Sequence, residues 1–216
     1  MKTLSIFVLT LIFSVGLTLA QDTLIIENGK PCPPEGLVKA KGKKKEELEK
    51  LNRLKNRYRF PEIEDIDTSI TLKSLLKEGD DRNRFNENKA VIVNGYVYEV
   101  KMGSVETCNC KSKSPQFRDT HIELILSTWD HEKEMRVIAE VTPRMRNQMA
   151  KRGVDWSTAK LKETLTGKFV SIEGWLLLDA EHLNDAYNTD SLDIKGNTNW
   201  RATAWEIHPV TEIRVY

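Results

Sequence analysis

Residues 119–128 read Asp-Thr-His-Ile-Glu-Leu-Ile-Leu-Ser-Thr, and polar side chains alternate with apolar ones along this stretch. Successive side chains of a β-strand point to opposite faces, so the alternation predicts a strand that is buried on one side. The buried side would carry Thr120, Ile122, Leu124 and Leu126. The opposite, ionisable side would carry Asp119, His121 and Glu123. The stretch therefore predicts one wall of a small β-structure with a polar outer face.

Four other stretches also have the composition of strands. They are rich in β-branched and aromatic residues and cover residues 90–101, 135–141, 168–178 and 202–215. A helical interval separates the third strand from the fourth. In it, Thr142 is a suitable N-cap with Pro143 at the first helical position. A second helix would start at Ser157 and end at Gly167, and Thr71 would cap a short helix before the first strand.

The order of these elements, three strands, a helix and two more strands, is that of an OB-fold. An OB-fold is a five-stranded Greek-key β-barrel, so we predict a mainly β protein with one helical insertion. The same order of elements would also fit a different small β-barrel or an open α+β sheet, and these folds are the alternatives. Pro209 lacks a backbone donor, which predicts a bulge or an edge in the last strand.

The first twenty residues have the pattern of a cleaved signal peptide. Lys2 provides a short positive region, and residues 4–17 are predominantly apolar. Residues 18–20 then offer a cleavage site before polar Gln21. An uncleaved membrane anchor is the alternative, but the apolar stretch is shorter than the ~20 residues that a spanning helix needs. We therefore expect a periplasmic or extracellular protein without a transmembrane segment after cleavage.

Composition divides the rest of the chain into two parts. Residues 21–60 form an extension in which residues 39–59 are dense in charge, and residues 61–216 contain the predicted OB-fold-like domain. Because its apolar stripe is narrow, we interpret the extension as a solvated helix or a flexible linker. A contact of the three lysines at residues 43–45 with a phosphate-rich surface is the alternative.

Charge and motifs exclude several function classes. The formal net charge is +1 and falls to zero when Lys2 is removed with the signal peptide. The whole protein therefore has no field that would attract nucleic acid or anionic lipid, and any such binding must be local. The sequence also lacks a Gly-x-Ser-x-Gly elbow, a phosphate-binding loop and a Rossmann glycine pattern. Serine hydrolase, P-loop and dinucleotide chemistry are therefore unsupported.

Five separated phrases carry a resemblance to known proteins. They are Glu-Thr-Cys-Asn-Cys at residues 106–110, Asp-Thr-His-Ile-Glu-Leu at 119–124, Glu-Val-Thr-Pro-Arg at 140–144, Gly-Trp-Leu-Leu-Leu-Asp at 174–179 and Asn-Trp-Arg-Ala-Thr-Ala-Trp-Glu-Ile-His-Pro-Val-Thr at 199–211. In this order they resemble a group of uncharacterised exported bacterial proteins with an OB-fold-like domain. The resemblance covers roughly residues 70–216. It implies an exported barrel and carries no activity that could be transferred.

Histidines and carboxylates recur at two-residue spacing on two predicted strands. Asp119 and His121 would share one face of the second strand. Glu206 and His208 would likewise share one face of the last strand. If these faces meet, the two imidazoles and the carboxylates could bind zinc or another divalent ion, with His182 as a third nitrogen ligand. The alternative is a polar rim in which each carboxylate sets the tautomer of its histidine.

Three cysteines follow the signal peptide, and their pairing stays open at this stage. In an oxidising compartment a disulfide is the plainer expectation. It would join Cys32 to the Cys-x-Cys unit of Cys108 and Cys110, or close within that unit, and would leave one thiol unpaired. In the alternative, Cys108 and Cys110 are thiolate metal ligands close to His121.

We expect a non-enzymatic binding module for a ligand or macromolecule that the sequence does not identify. The predicted ligand-binding residues are Asp119, His121, Glu140, His182, Trp200, Arg201, Glu206 and His208. A divalent metal such as zinc is the candidate cofactor, and its candidate ligands are His121, His208, His182, Cys108 and Cys110. One alternative is a single-stranded nucleic-acid-binding OB domain, because strand aromatics could stack on bases. The other is a metal-dependent hydrolase such as a phosphodiesterase.

Overall fold

A computed structural model describes residues 23–189 and 199–216 of the chain. The predicted signal peptide, residues 1–20, lies outside the described residues. Within them, no helix combines the length and the apolar character that crossing a membrane requires. The described residues form a β-barrel with α-helices packed around it and a small N-terminal hairpin.

Five of the described strands close into a barrel, and a short hairpin of two more precedes them. The hairpin pairs β1 (Leu24–Ile25) with β2 (Pro31–Cys32). The barrel strands are β3 (Ala90–Met102), β4 (Thr120–Ile125), β5 (Val137–Val141), β6 (Phe169–Leu178) and β7 (Trp205–Val215). Around the barrel they run in the order β3, β4, β5, β7, β6 and back to β3. β5 and β7 are parallel and the other neighbours antiparallel, which confirms the predicted OB-like barrel.

Three of the four described α-helices begin where the capping residues predicted. They are α1 (Gly42–Lys55), α2 (Leu72–Leu76), α3 (Pro143–Lys151) and α4 (Thr158–Leu165). The Thr142 side chain accepts a hydrogen bond from the Met145 backbone N–H, and Pro143 occupies the first turn of α3. Ser157 caps α4 and Thr71 caps α2 in the same way. The helical interval of the OB-fold is therefore confirmed.

The apolar strand faces fill the interior of the barrel. Ile122 and Leu124 of β4 lie in this core, as the alternation predicted, together with Trp205 of β7 and Leu161 of α4. Leu126 was expected on the same face, but it lies beyond the end of β4 and is 37% exposed. β4 ends at Ile125, earlier than predicted, so Leu126 is no longer part of the strand face that points into the core.

β7 changes register against β6 beside Pro209. Gly174 pairs with Val210, whereas Leu176 pairs with Ile207, so β7 contains one extra residue between the two pairs. A Cβ atom on Gly174 would lie 2.5 Å from the Pro209 carbonyl oxygen, and the site therefore requires glycine. Because Pro209 lacks a backbone N–H, a bulge or an edge was predicted at this position, and the bulge is confirmed.

The charged extension packs against the outer side of the barrel. Leu51, Asn52 and Lys55 of α1 are buried, and Cys32 is joined to Cys110 by a disulfide. The interpretation as a solvated helix or flexible linker is therefore wrong for the last turns of α1. Polar side chains such as Asn52 and Lys55 take part in the contact between α1 and the barrel. The prediction considered only the apolar residues of this segment and therefore did not include them. The lysines at residues 43–45 are exposed.

Candidate metal centre

The outer faces of β4, β5 and β7 carry the ionisable residues that the strand pattern predicted. His121 lies opposite Glu140 in the β4–β5 pair. Glu206 and His208 lie two residues apart on β7, which neighbours β5. Asp119 comes immediately before β4. These five residues, hereafter the His/carboxylate cluster, converge as predicted, but each is at most 9% exposed.

The cluster is covered by the extension and by the loop between β3 and β4, residues 103–119. Lys55 Nζ of α1 lies 3.0 Å from Glu106 Oε2 of this loop. The next residue, Asn56, donates from Nδ2 to the carbonyl oxygen of Cys108 over 2.9 Å. The predicted polar rim is therefore enclosed, because a segment distant in sequence binds over it.

Glu140 lies between the two imidazoles of the cluster. Its Oε1 is 2.7 Å from His121 Nε2, and its Oε2 is 3.4 Å from His208 Nδ1. His121 Nε2 nevertheless has no aligned hydrogen bond within the described part of the chain, and neither do Glu140 Oε2 and His208 Nε2. About nine in ten buried polar groups are paired in folded proteins. Three buried atoms of one cluster therefore lack an aligned hydrogen bond among the described residues.

Hydrogen bonds from outside orient the cluster. Arg201 Nη1 donates to Glu206 Oε1 over 2.6 Å, and Glu206 Oε2 lies 3.1 Å from His208 Nδ1. Because an ionised Glu206 accepts the Nδ1 proton, the Nε2 lone pair of His208 faces away from it. Asn109 Nδ2 donates to Asp119 Oδ2 over 2.9 Å and leaves Oδ1 unpartnered. Metal-ligating histidines and carboxylates typically have such partners on their second atom.

The electrostatics of the cluster favour a cation. Burial and neighbouring carboxylates raise the pKa of Asp119 and of Glu140 above their ordinary values. Burial lowers the pKa of His121, so its imidazole is neutral and can offer a lone pair. Burial also lowers the pKa of His208, but Glu140 and Glu206 raise it by more. The raised carboxyl pKa values mean that the ionised forms of Asp119 and Glu140 are unfavourable in this enclosed cluster, and a divalent cation would stabilise them.

Three groups of side chains have ligand atoms close enough to share an ion. In each group, one ligand atom per residue lies within 4.8 Å of the others. The groups are Glu106 with His121 and Glu140, Asp119 with Glu140 and His208, and Glu106 with Cys108 and Asp119. Glu106 was not predicted as a ligand, because it lies in a loop, where the alternation of a strand gives no information about side-chain direction. Its position two residues before Cys108 is the signal that could have identified it.

Two predicted metal ligands do not belong to the cluster. Cys110 is bonded to Cys32, which confirms one of the expected pairings and removes Cys110 as a thiolate ligand. His182 lies in the 3-10 helix Ala180–Asp185, and its Nδ1 is 2.7 Å from Asp185 Oδ2. It occurs in none of the three groups. His182 therefore has its imidazole partner within its own turn and contacts the edge of the Trp200 ring, with centroids 5.5 Å apart.

Trp200 lies at the edge of the cluster. Its ring stacks on His121 with centroids 6.5 Å apart and an interplanar angle of 16°. Lys101 Nζ lies 5.8 Å from the centroid of the Trp200 ring. Trp175 and Trp205, by contrast, are at most 3% exposed and belong to the protein interior. These two tryptophans are therefore not available to stack on bases.

Comparisons of the chain with protein-family models, with curated proteins and with solved structures found no match. The resemblance to exported bacterial proteins therefore stays an expectation. The geometry and charge of the cluster are the basis for a function.

Proposed function

We propose that the chain is an exported OB-fold binding module that holds a divalent metal ion in the His/carboxylate cluster. The proposed ligands are Asp119, Glu140 and His208, and His121 lies beside Glu140. One observation carries the proposal, namely that each of these side chains has a buried ligand atom without a hydrogen-bond partner among the described residues. The apolar pattern of residues 4–17 supports export.

A shared proton in place of a metal ion is a weaker explanation of the cluster. A buried polar atom without a partner costs about 1–3 kcal/mol. Asp119, Glu140 and His208 have ligand atoms within 4.8 Å of one another, so two buried carboxyl groups and an imidazole share one position. One proton can satisfy two of these atoms at most. A divalent ion can contact all three of these residues and also offsets the negative charge of the two carboxylates.

The donor set and its enclosure indicate the kind of ion. Imidazole nitrogens suit Zn²⁺ and related transition metals, whereas Mg²⁺ and Ca²⁺ prefer all-oxygen sites. Catalytic zinc sites keep one position open for water or substrate, while structural sites are closed. Because the extension covers this cluster, we propose a stably held ion with no substrate position.

The test is a metal titration of the mature chain, purified without a histidine tag and stripped with a chelator. Zn²⁺ at about 100 times its Kd should stabilise the fold by about 2.7 kcal/mol, which a thermal melt records as a higher Tm. His208→Gln should lose most of this shift, because it removes a ligand nitrogen. His131→Gln is the matched control and should keep the shift, since His131 is exposed and outside the three ligand groups.

Two results would contradict the proposal. The first is a wild-type Tm that ignores Zn²⁺, Mn²⁺ and Co²⁺, together with no metal in the purified protein. The second is an equal Zn²⁺ shift in wild type and His208→Gln, which would mean that the ion binds elsewhere.

A further inference from the structure

Cys108 is a free cysteine at the edge of the His/carboxylate cluster. Its side chain is buried, and its Sγ lies 3.4 Å from Glu106 Oε2 and 3.9 Å from Asp119 Oδ2. A thiol has one proton, so hydrogen bonding serves one of these carboxylates and not both. Asp119 Oδ1 and Asn109 Oδ1 are also buried without a partner among the described residues. Cys108, Glu106 and Asp119 therefore form a largely buried group whose ligand atoms lie within 4.8 Å of one another, and Asp119 also has an oxygen without a hydrogen bond among the described residues.

The sulfur–oxygen distances match those between two ligands of one ion. With Zn–S of about 2.3 Å and Zn–O of about 2.1 Å, sulfur and oxygen lie about 3.6 Å apart around a tetrahedral Zn²⁺. The two distances from Cys108 Sγ, 3.4 Å and 3.9 Å, bracket this value. Little movement would therefore be needed to place one ion between Cys108, Glu106 and Asp119.

The surrounding structure holds the Cys108 backbone in place from both sides. The disulfide between Cys110 and Cys32 ties the loop to β2. Asn56 donates to the Cys108 carbonyl oxygen, and the carbonyl oxygen of Thr107 accepts from the backbone N–H of residue 37 over 2.8 Å. Ligands that are held in advance lose less freedom when the ion binds.

We infer that Cys108 is a thiolate ligand of a divalent ion that it shares with Glu106 and Asp119, and that the cluster, through Asp119, selects thiophilic divalent ions. Zn²⁺, Co²⁺ and Cd²⁺ would bind in preference to Mg²⁺, Ca²⁺ and Mn²⁺. The inference rests on the proposed function, because it needs an ion in the cluster. On binding, the S–H bond breaks, its electron pair forms the sulfur–metal bond, and the proton leaves to the solvent.

The test is the absorption spectrum of the Co²⁺ form, prepared from chelator-stripped mature protein without reductant so that the disulfide stays intact. The wild type should show a near-ultraviolet charge-transfer band from thiolate to cobalt. Cys108→Ser should lose this band and bind Co²⁺ at least about tenfold more weakly. Ser112→Ala is the matched control and should keep the band, because Ser112 is buried in the same loop but donates to Glu27.

The wild-type spectrum decides the inference even when Cys108→Ser does not fold. Co²⁺ binding without the thiolate band would overturn the inference and leave the proposed metal site intact. Equal wild-type affinities for Mn²⁺ and Zn²⁺ would also overturn it. Failure of both Co²⁺ and Zn²⁺ to bind would instead overturn the proposed function, so the two failures are distinguishable.

Discussion

Arg201 and Glu206 form an ion pair that is completely shielded from solvent. Arg201 Nη1 lies 2.6 Å from Glu206 Oε1, and both side chains are 0% exposed. Burial raises the pKa of Glu206, but Arg201 and His208 lower it by more, so it lies well below the ordinary value of 4.5. Glu206 is therefore ionised and can accept the proton of His208 Nδ1. A single arginine thus orients one of the proposed metal ligands.

Arg201→Met should reduce the free energy of unfolding by about 3–5 kcal/mol at neutral pH, because it leaves Glu206 buried without its arginine partner. Urea denaturation measures this loss. A depressed carboxyl pKa stabilises the fold above its ordinary value of 4.5 and stops doing so as the pH falls through the folded-state pKa. The difference between variant and wild type should therefore shrink in acid.

Arg214→Met is the matched control for this substitution. The Arg214 pair with Glu212 is exposed, so its loss should leave the free energy of unfolding nearly unchanged. A loss of similar size in both variants, or one in Arg201→Met that does not decrease in acid, would contradict the role given to the buried pair.

At the scale of elements, the extension packs over the His/carboxylate cluster and is fixed there by covalent and polar contacts. The disulfide between Cys32 and Cys110 spans a sequence separation of 78 residues. Lys55 and Asn56, at the end of α1, contact the loop that carries Glu106 and Cys108. The hairpin, α1 and the loop between β3 and β4 are therefore held together around one site.

The double variant Cys32→Ser/Cys110→Ser should lose about 2–5 kcal/mol of unfolding free energy, because the unfolded chain is no longer closed into a long loop. Guanidinium denaturation without reductant measures the loss. A reductant should then destabilise the wild type to a similar extent and leave the double variant unchanged. A loss below about 1 kcal/mol would show that the noncovalent contacts of the extension suffice.

At the scale of the whole molecule, one buried cation joins three parts of the chain. Lys55 Nζ of the extension lies 3.0 Å from Glu106 Oε2, in the loop after β3, and 2.6 Å from Asp179 Oδ2, after β6. Burial lowers the pKa of Lys55, but Asp179 and Glu106 raise it well above the ordinary value. The lysine is therefore charged and connects the extension to both loops beside the barrel.

Export is a property of the whole molecule that the N-terminal pattern predicts. When the full chain is expressed in a bacterial host, the mature protein should begin at Gln21 and be found in the periplasm or the medium. Mass spectrometry of the purified protein measures this start. Chains that keep Met1 and sediment with membranes would contradict cleavage and favour the membrane-anchor alternative.

The sequence by itself determined the barrel strands, the starts of α2, α3 and α4 and the polar strand faces. Thr142 and Ser157 cap helices through contacts within three residues, and strand faces follow from alternate residues. Asp119 and His121 could therefore be assigned to one cluster with Glu206 once the OB order was recognised. Local patterns suffice for such features because their causes lie within a few neighbouring residues.

Tertiary structure alone decided that the cluster is enclosed and which residues belong to it. Asn56 binds the carbonyl oxygen of Cys108 across 52 positions of sequence, and Cys32 reaches Cys110 across 78. No periodicity links such distant residues. The sequence therefore gave no sign that the extension packs on the barrel or that Glu106 is a candidate metal ligand. It also placed His182 among the metal ligands, which the structure does not support. Burial depends on which distant segment covers a surface, and that is settled only when the whole chain packs.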